Sequence, residues 1–295
     1  MKEILKNKKV LIPICIVLLV LVGLAIWLAA GGSRSGGKVS ESPQEVLDMM
    51  EKAQKAYENV SSVNSVMKLD MNMEVEDTEM NIALQLGVYN LKNEDVQKTE
   101  TIMTLGDFGS QAVTSYIDLK NNVVYSTSDG GSSWNKEDVS EDEAQAYVNS
   151  NDFSGFLTNI RNYKEKGAET VNGLAATRYD GVIENDYIQE LMSQTGIFEQ
   201  MGLQEISDDQ MKKVYDEIGN IEVSMWLDPN TSLPQKMSID LTQMMKAMMK
   251  LNKESDEDKD ASDAADALKK VTMVYINKDY NSLSPIEIPK EAKNA

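Results

Sequence analysis

Side chains that titrate, ligate metals or attack electrophiles are scarce in this chain. Its 295 residues include no histidine, which removes the commonest general base and metal ligand together. The one cysteine, Cys15, excludes an internal disulfide and a cysteine-based zinc site. Asp107-Phe108-Gly109 matches a kinase tripeptide, yet a kinase catalytic loop also carries the histidine that is absent here. Asp256, Asp258 and Asp260 imitate the first half of a calcium loop. Ala261 stands where that loop needs glycine, and Ala267 where it needs a bidentate glutamate. No glycine-rich loop is placed to cradle a phosphate, and no Ser-x-x-Lys marks a buried helix start. With 48 acidic residues, no carboxylate pair stands apart from the rest. The sequons at Asn59 and Asn230 are matches expected by chance. The expectation is therefore no catalytic residue, no metal, no cofactor, and a protein that is not an enzyme.

What the chain has in excess is methionine, 18 against four phenylalanines. The stretch "VMKLDMNMEV", residues 66–75, alternates along its whole length. Successive strand side chains point to opposite faces, so Met67, Leu69, Met71 and Met73 share one face while Lys68, Asp70, Asn72 and Glu74 share the other. In the following run, "MNIALQLGVY", Met80, Ile82, Leu84 and Leu86 alternate in the same way. A strand built for rigidity favours Val and Ile. Methionine is flexible and fills irregular or changing space. These eight residues are the candidate lining of a site for a hydrophobic ligand. An ordinary core would demand apolar residues at the same positions.

The elements that must hold this face are legible in turn. Ser42-Pro43-Gln44-Glu45 reads as a capping box with proline at the first helical position. Val46, Met49, Met50, Ala53, Ala56, Tyr57 and Val60 follow at helical spacing. The period then changes to two, and four runs, ending with "SQAVTSYIDL", lead to turns at "KNN" (120–122) and "SDGGS" (128–132). Links this short make an antiparallel meander. Ser140 to Glu143 repeats the capping box, and Phe153, Phe156, Leu157 and Ile160 form an apolar stripe with Tyr163 beyond. Two strands flank "VNGL" (171–174). Helices are expected over about 186–201 and 208–218, the second capped by Ser207. "IEVSMWL" and "QKMSIDLTQ" flank a turn with Pro229, and "KKVTMVYINKDYN" is the last strand. Met244, Met245, Met248 and Met249 make a broad methionine face, fit either for core packing or for the lip of a ligand site. An acidic insertion, about 253–267, reads as a solvated excursion.

Ahead of this domain, residues 1–9 form a basic tail, and Val10 to Ala30 is a run of 21 residues without a charge. About 20 apolar residues span a bilayer as a helix, whereas a secretory signal has an apolar region of only about 7–15. The lysines stay in the cytoplasm by the positive-inside rule. The expectation is a retained single-pass transmembrane anchor at 10–30, with cleavage near "LAAGG" as the alternative. Residues 31–41 form a flexible tether, and 42–295 an extracytoplasmic domain at the cell membrane. The formal net charge is −19 although the tail is basic, so the domain repels phosphates and nucleic acid is excluded as a partner.

The segments "VSMWLDPNTSLPQKMSIDL", "NGLAATRYDGVI" and "INKDYNSLSPIEIPKEA", following a helix and a long meander, resemble the extracytoplasmic LolA-like superfamily. That superfamily includes lipoprotein carriers and LppX/LprG-type lipid-binding lipoproteins. The resemblance covers about residues 40–295. It implies an α+β fold: a single curved antiparallel sheet, an incomplete β-barrel, with helices packed in its concave face around an apolar cavity. The chain departs from the lipoprotein members in lacking a lipobox cysteine, and a retained anchor does not shuttle between membranes. The expected function is a membrane-tethered binding protein that shelters a lipid or acyl chain. The alternative is a ligandless interaction or sensor domain that contacts envelope proteins with the same scaffold.

Overall fold

The computed structural model describes residues 42–75, 78–92, 94–105, 109–141, 144, 157, 160–188, 207–251 and 265–295. The apolar run 10–30 and its tether lie outside the described residues. So do the stripe residues Phe153 and Phe156, most of the helix expected over 186–201, and Asp256, Asp258 and Asp260. Among the described residues no helix is long and apolar enough to cross a membrane.

The chain opens with α1 (Gln44–Glu58), followed by β1 (Ser62–Val75), β2 (Thr78–Leu91), β3 (Val96–Leu105), β4 (Ser110–Asp118), β5 (Val123–Thr127) and β6 (Asn135–Asp138). Then come β7 (Arg161–Val171), β8 (Leu174–Ile183), α2 (Asp208–Ile218), β9 (Ile221–Leu227), β10 (Pro234–Asp240), α3 (Thr242–Leu251), β11 (Leu268–Lys278) and α4 (Lys290–Lys293). All eleven strands join one antiparallel sheet in the order β6-β5-β4-β3-β2-β1-β11-β10-β9-β8-β7. The sheet is thus two meanders, β1 to β6 and β7 to β11, sewn together where the first strand pairs with the last. That seam runs from Asn64 opposite Lys278 to Met73 opposite Leu268, with a bulge between Asn72 and Met73.

Each hairpin has a local cause. Asn122 turns β4 into β5 with φ 54°. Asn172 and Gly173 turn β7 into β8 with φ 50° and 83°, as a two-residue link between right-twisted strands requires. Between β9 and β10, Asp228 organises the turn: its Oδ1 accepts the N–H groups of Asn230 and Thr231 at 2.8 and 2.9 Å. Asp129 accepts from Ser133 N–H and Thr127 Oγ1 in the turn before β6. These bonds hold the Asp129 carboxyl down at about 2, Ser133 being the largest cause. The two edges of the sheet resist further pairing. β6 is four exposed residues, three of them charged, and β7 carries two register shifts and a charged outer surface.

The capping signals divide. Ser207 caps α2 as expected, its side chain accepting from Gln210 N–H while the Gln210 side chain accepts from Ser207 N–H. At α1 the expectation fails, because the N-cap is Pro43 and no side chain caps it. Ser42 Oγ instead accepts the N–H of Tyr163 at 2.6 Å, tying the start of α1 to β7. At Ser140 only the opening bond is described, from Ala144 N–H to Ser140 O at 3.0 Å. Ala265, three residues before β11, is buried in the main apolar cluster.

Cross-strand partners share a face, so the registers define two surfaces. One carries Met67, Leu69, Met71 and Met73 and is covered by α1, α2 and α3. α3 packs on β11 and on α2, and Met244, Met245, Met248 and Met249 are all buried in the same cluster. The other face is largely polar over β1. Over β5 the chain's own C-terminus covers it: Ile288 and Ala292 pack on Val123 and Tyr125, with Trp134 alongside.

Candidate functional site

The covered face consists of rows that cross the strands. One row is Met237, Tyr275, Met67, Leu86, Thr101 and Val113, from β10 to β4. The next is Ile239, Met273, Leu69, Leu84, Met103 and Gln111. Burial changes along each row. Met237 is 0% exposed, Tyr275 5% and Met67 9%, whereas Leu86, Thr101 and Val113 are half-buried. In the second row Ile239, Met273 and Leu69 are buried, Leu84 and Met103 are half-buried, and Gln111 is exposed. The helices seal the centre of the sheet and leave partly open the stretch of β2–β4 that these two rows cross. An apolar face half open to water is a place where further apolar surface gains by burial, at about 25 cal/mol per Å².

The eight residues singled out in the sequence fall on both sides of this boundary. The structure brings all eight onto one face, with Met67 opposite Leu86, Leu69 opposite Leu84, Met71 opposite Ile82 and Met73 opposite Met80. Met67, Leu69, Met71, Met73 and Ile82 are buried in the main cluster, and Met80, Leu84 and Leu86 are half-buried at its margin. Thr101, Met103 and Val113 continue the open part and were not among the expected residues. Their strands, "VQKTETIMTL" and "SQAVTSYID", mix polar and apolar residues on both faces, so alternation alone does not say which face turns inward.

Among the described residues, two polar groups on this face lack partners. Gln97, opposite Ile117, is 1% exposed, and its side-chain oxygen has no hydrogen-bond partner. Tyr163 is 2% exposed, its hydroxyl also has no partner, and burial pushes the phenol far above its ordinary range. Gly181 leaves room for this ring: a Cβ there would lie 2.9 Å from Tyr163 Cδ1 and 2.7 Å from Ile160 Cγ2.

A cleft of about 710 Å³ lies on the opposite face, floored by Val66, Lys68, Gln85 and Ile276 and rimmed by Leu174 and Leu233. It takes none of the eight, because even-numbered residues of β1 point away from the helices. Beside it Trp226 is clasped by Lys236 Nζ at 4.3 Å and the Arg178 guanidinium at 5.3 Å from its ring, and its Nε1 donates to Glu169 at 2.6 Å. Arg178 also pairs with Asp180 at 2.8 Å. Burial raises the Asp180 carboxyl, but hydrogen bonds from Arg178 and Ser224 outweigh it and leave the group below its ordinary value. This is a structural ion-pair network. Among the described residues no group of three acidic or cysteine side chains is placed to hold a metal ion.

No family model matches the chain, and no curated protein matches it. Solved structures do align with it. LprF from Mycobacterium bovis is 14% identical, with 86% of this chain and 100% of that chain covered and a TM-score of 0.48. The lipoprotein LppX of Mycobacterium tuberculosis is 12% identical, with 83% and 100% covered and a TM-score of 0.42. A LolA superfamily protein from Nitrosomonas europaea is 8% identical, with 86% and 97% covered and a TM-score of 0.21. Of these three neighbours, the Nitrosomonas europaea protein is the one named for the LolA superfamily.

Proposed function

We propose that this domain is a membrane-tethered, extracytoplasmic binding protein that shelters the acyl chain of a lipid on the covered face of its sheet. The observation that carries this reading is the passage of two apolar rows from sealed to half-open between β1 and β4. In it Met67, Leu69, Met71, Met73 and Ile82 form the floor, and Met80, Leu84 and Leu86, with Met103 and Val113, meet the ligand. The methionines of β1 and α3 suit the role, because a thioether chain repacks at small cost when an occupant enters or leaves. The lack of histidine agrees with binding rather than catalysis. Residues 10–30 supply the anchor and 31–41 the tether.

Native mass spectrometry of the purified domain, followed by extraction into organic solvent, tests the reading. The expected result is a co-purifying lipid that solvent releases, together with uptake of a fluorescent fatty acid by the stripped protein. A protein that purifies free and takes up no probe would leave the scaffold as a contact surface for envelope proteins. Protease added to intact cells tests the tether. A released fragment that begins after Ala30 supports it, and a soluble domain in the medium with its N-terminus near Gly32 opposes it.

A further inference from the structure

Four residues from Thr101 along β3, outside the half-open rows, lies a buried acceptor that no group answers among the described residues. On the covered face β3 presents Gln97, Thr99, Thr101 and Met103 in succession, so polarity falls from one end of the strand to the other. Gln97 and Thr99 are buried together with Val88 and Ile117 beside them, so the polar end is closed over. Its free oxygen is costly, since a buried acceptor without a donor loses its hydration and gains nothing. Methionine has nearly the same shape, is abundant in this chain, and would avoid that cost. The six residue steps from Gln97 to Met103 span about 20 Å at strand rise. One acyl chain needs roughly 15 Å, half the thickness of a bilayer's hydrocarbon core.

We infer that Gln97 Oε1 accepts a hydrogen bond from the headgroup of a single-chain lipid whose acyl chain runs along β3 toward Met103. The inference rests on the lipid-binding reading and narrows it. An acceptor selects a donor, so the headgroup bears a hydroxyl or an amide N–H beside its acyl chain. An ether or ester without a donor leaves the oxygen unpaired. The half-open end at Leu84 and Met103 is where its chain lodges.

Two probes of equal chain length separate the outcomes: cetyl alcohol, which donates, and its methyl ether, which does not. Each displaces a fluorescent fatty acid from the stripped protein. One neutral hydrogen bond corresponds to roughly a three- to tenfold preference for the alcohol. In Gln97→Met the preference disappears, both probes bind at the ether's level, and the unfolding temperature is no lower than the parent's. Equal binding of both probes by the parent overturns the inference without any variant, and leaves lipid binding standing. A preference that survives in Gln97→Met overturns it as well, and a parent that binds neither probe removes both readings together.

Discussion

Filling the sheet face with bulk separates its sealed part from its half-open part. Met71 is 1% exposed, with Ile82 and Val271 as its cross-strand neighbours. Met71→Trp adds a ring to a close-packed site, and such overpacking costs about 1–3 kcal/mol. For a domain of this size each kcal/mol moves the unfolding midpoint by roughly 2–4 °C, so the loss lies at roughly 2–12 °C. Leu84 is half-buried between Leu69 and Met103. Leu84→Trp places the same ring where one side faces water, and the expected stability change is within about 0.5 kcal/mol. The ring then occupies the surface assigned to the acyl chain, so uptake of a fluorescent fatty acid falls in Leu84→Trp. Asn72→Trp, on the opposite face, is the control and alters neither property. The assays are thermal unfolding by circular dichroism and probe titration of the stripped proteins. A Leu84→Trp protein destabilised as much as Met71→Trp, or one that binds the probe like the parent, refutes the division of the face.

Three further outcomes are expected. Gly181→Ala forces a Cβ to within 2.9 Å of the Arg161 carbonyl oxygen, a backbone atom that cannot swing away. It should cost about 1–3 kcal/mol in denaturant unfolding, and an unchanged midpoint would contradict the packing of Ile160 and Tyr163 there. Tyr163→Phe removes a buried hydroxyl that has no partner among the described residues, so the variant should be as stable as the parent or more stable by about 1 kcal/mol; a clear loss would mean the hydroxyl is satisfied in solution. Asp129 has its pKa lowered from 3.8 to about 2. Its folded value lies below its unfolded one, so its contribution is present above about pH 4 and is lost as pH falls toward 2. Its carboxyl resonance should titrate near the lower value by NMR, and Ser133→Ala should move that midpoint upward.

The part of the fold that short-range chemistry decides was legible in the chain. Asn172-Gly173, Asn122 and Asp228 each form their turn with residues at most a few positions away, and the Ser207 capping box closes within four residues. Alternation from Met67 to Met73 fixed one face of β1 because strand side chains repeat every two residues. The same rule brought all eight candidate lining residues together. Ser42 shows where such inference stops. Its local pattern was right for a cap, but a strand 121 positions away offered an N–H that its hydroxyl took instead.

Only the tertiary structure decided which part of the face is floor and which part is open. That division depends on β1 pairing with β11, a contact such as Ser65 to Asn277 across 212 positions, and on α3 settling over β11 rather than over β3. No local propensity specifies either, because both are chosen by the total apolar area buried once two meanders meet. The orphaned oxygen of Gln97 has the same origin. In sequence it is one glutamine in a polar strand, and only the register places it inward and under cover, four residues along β3 from Thr101 of the first row.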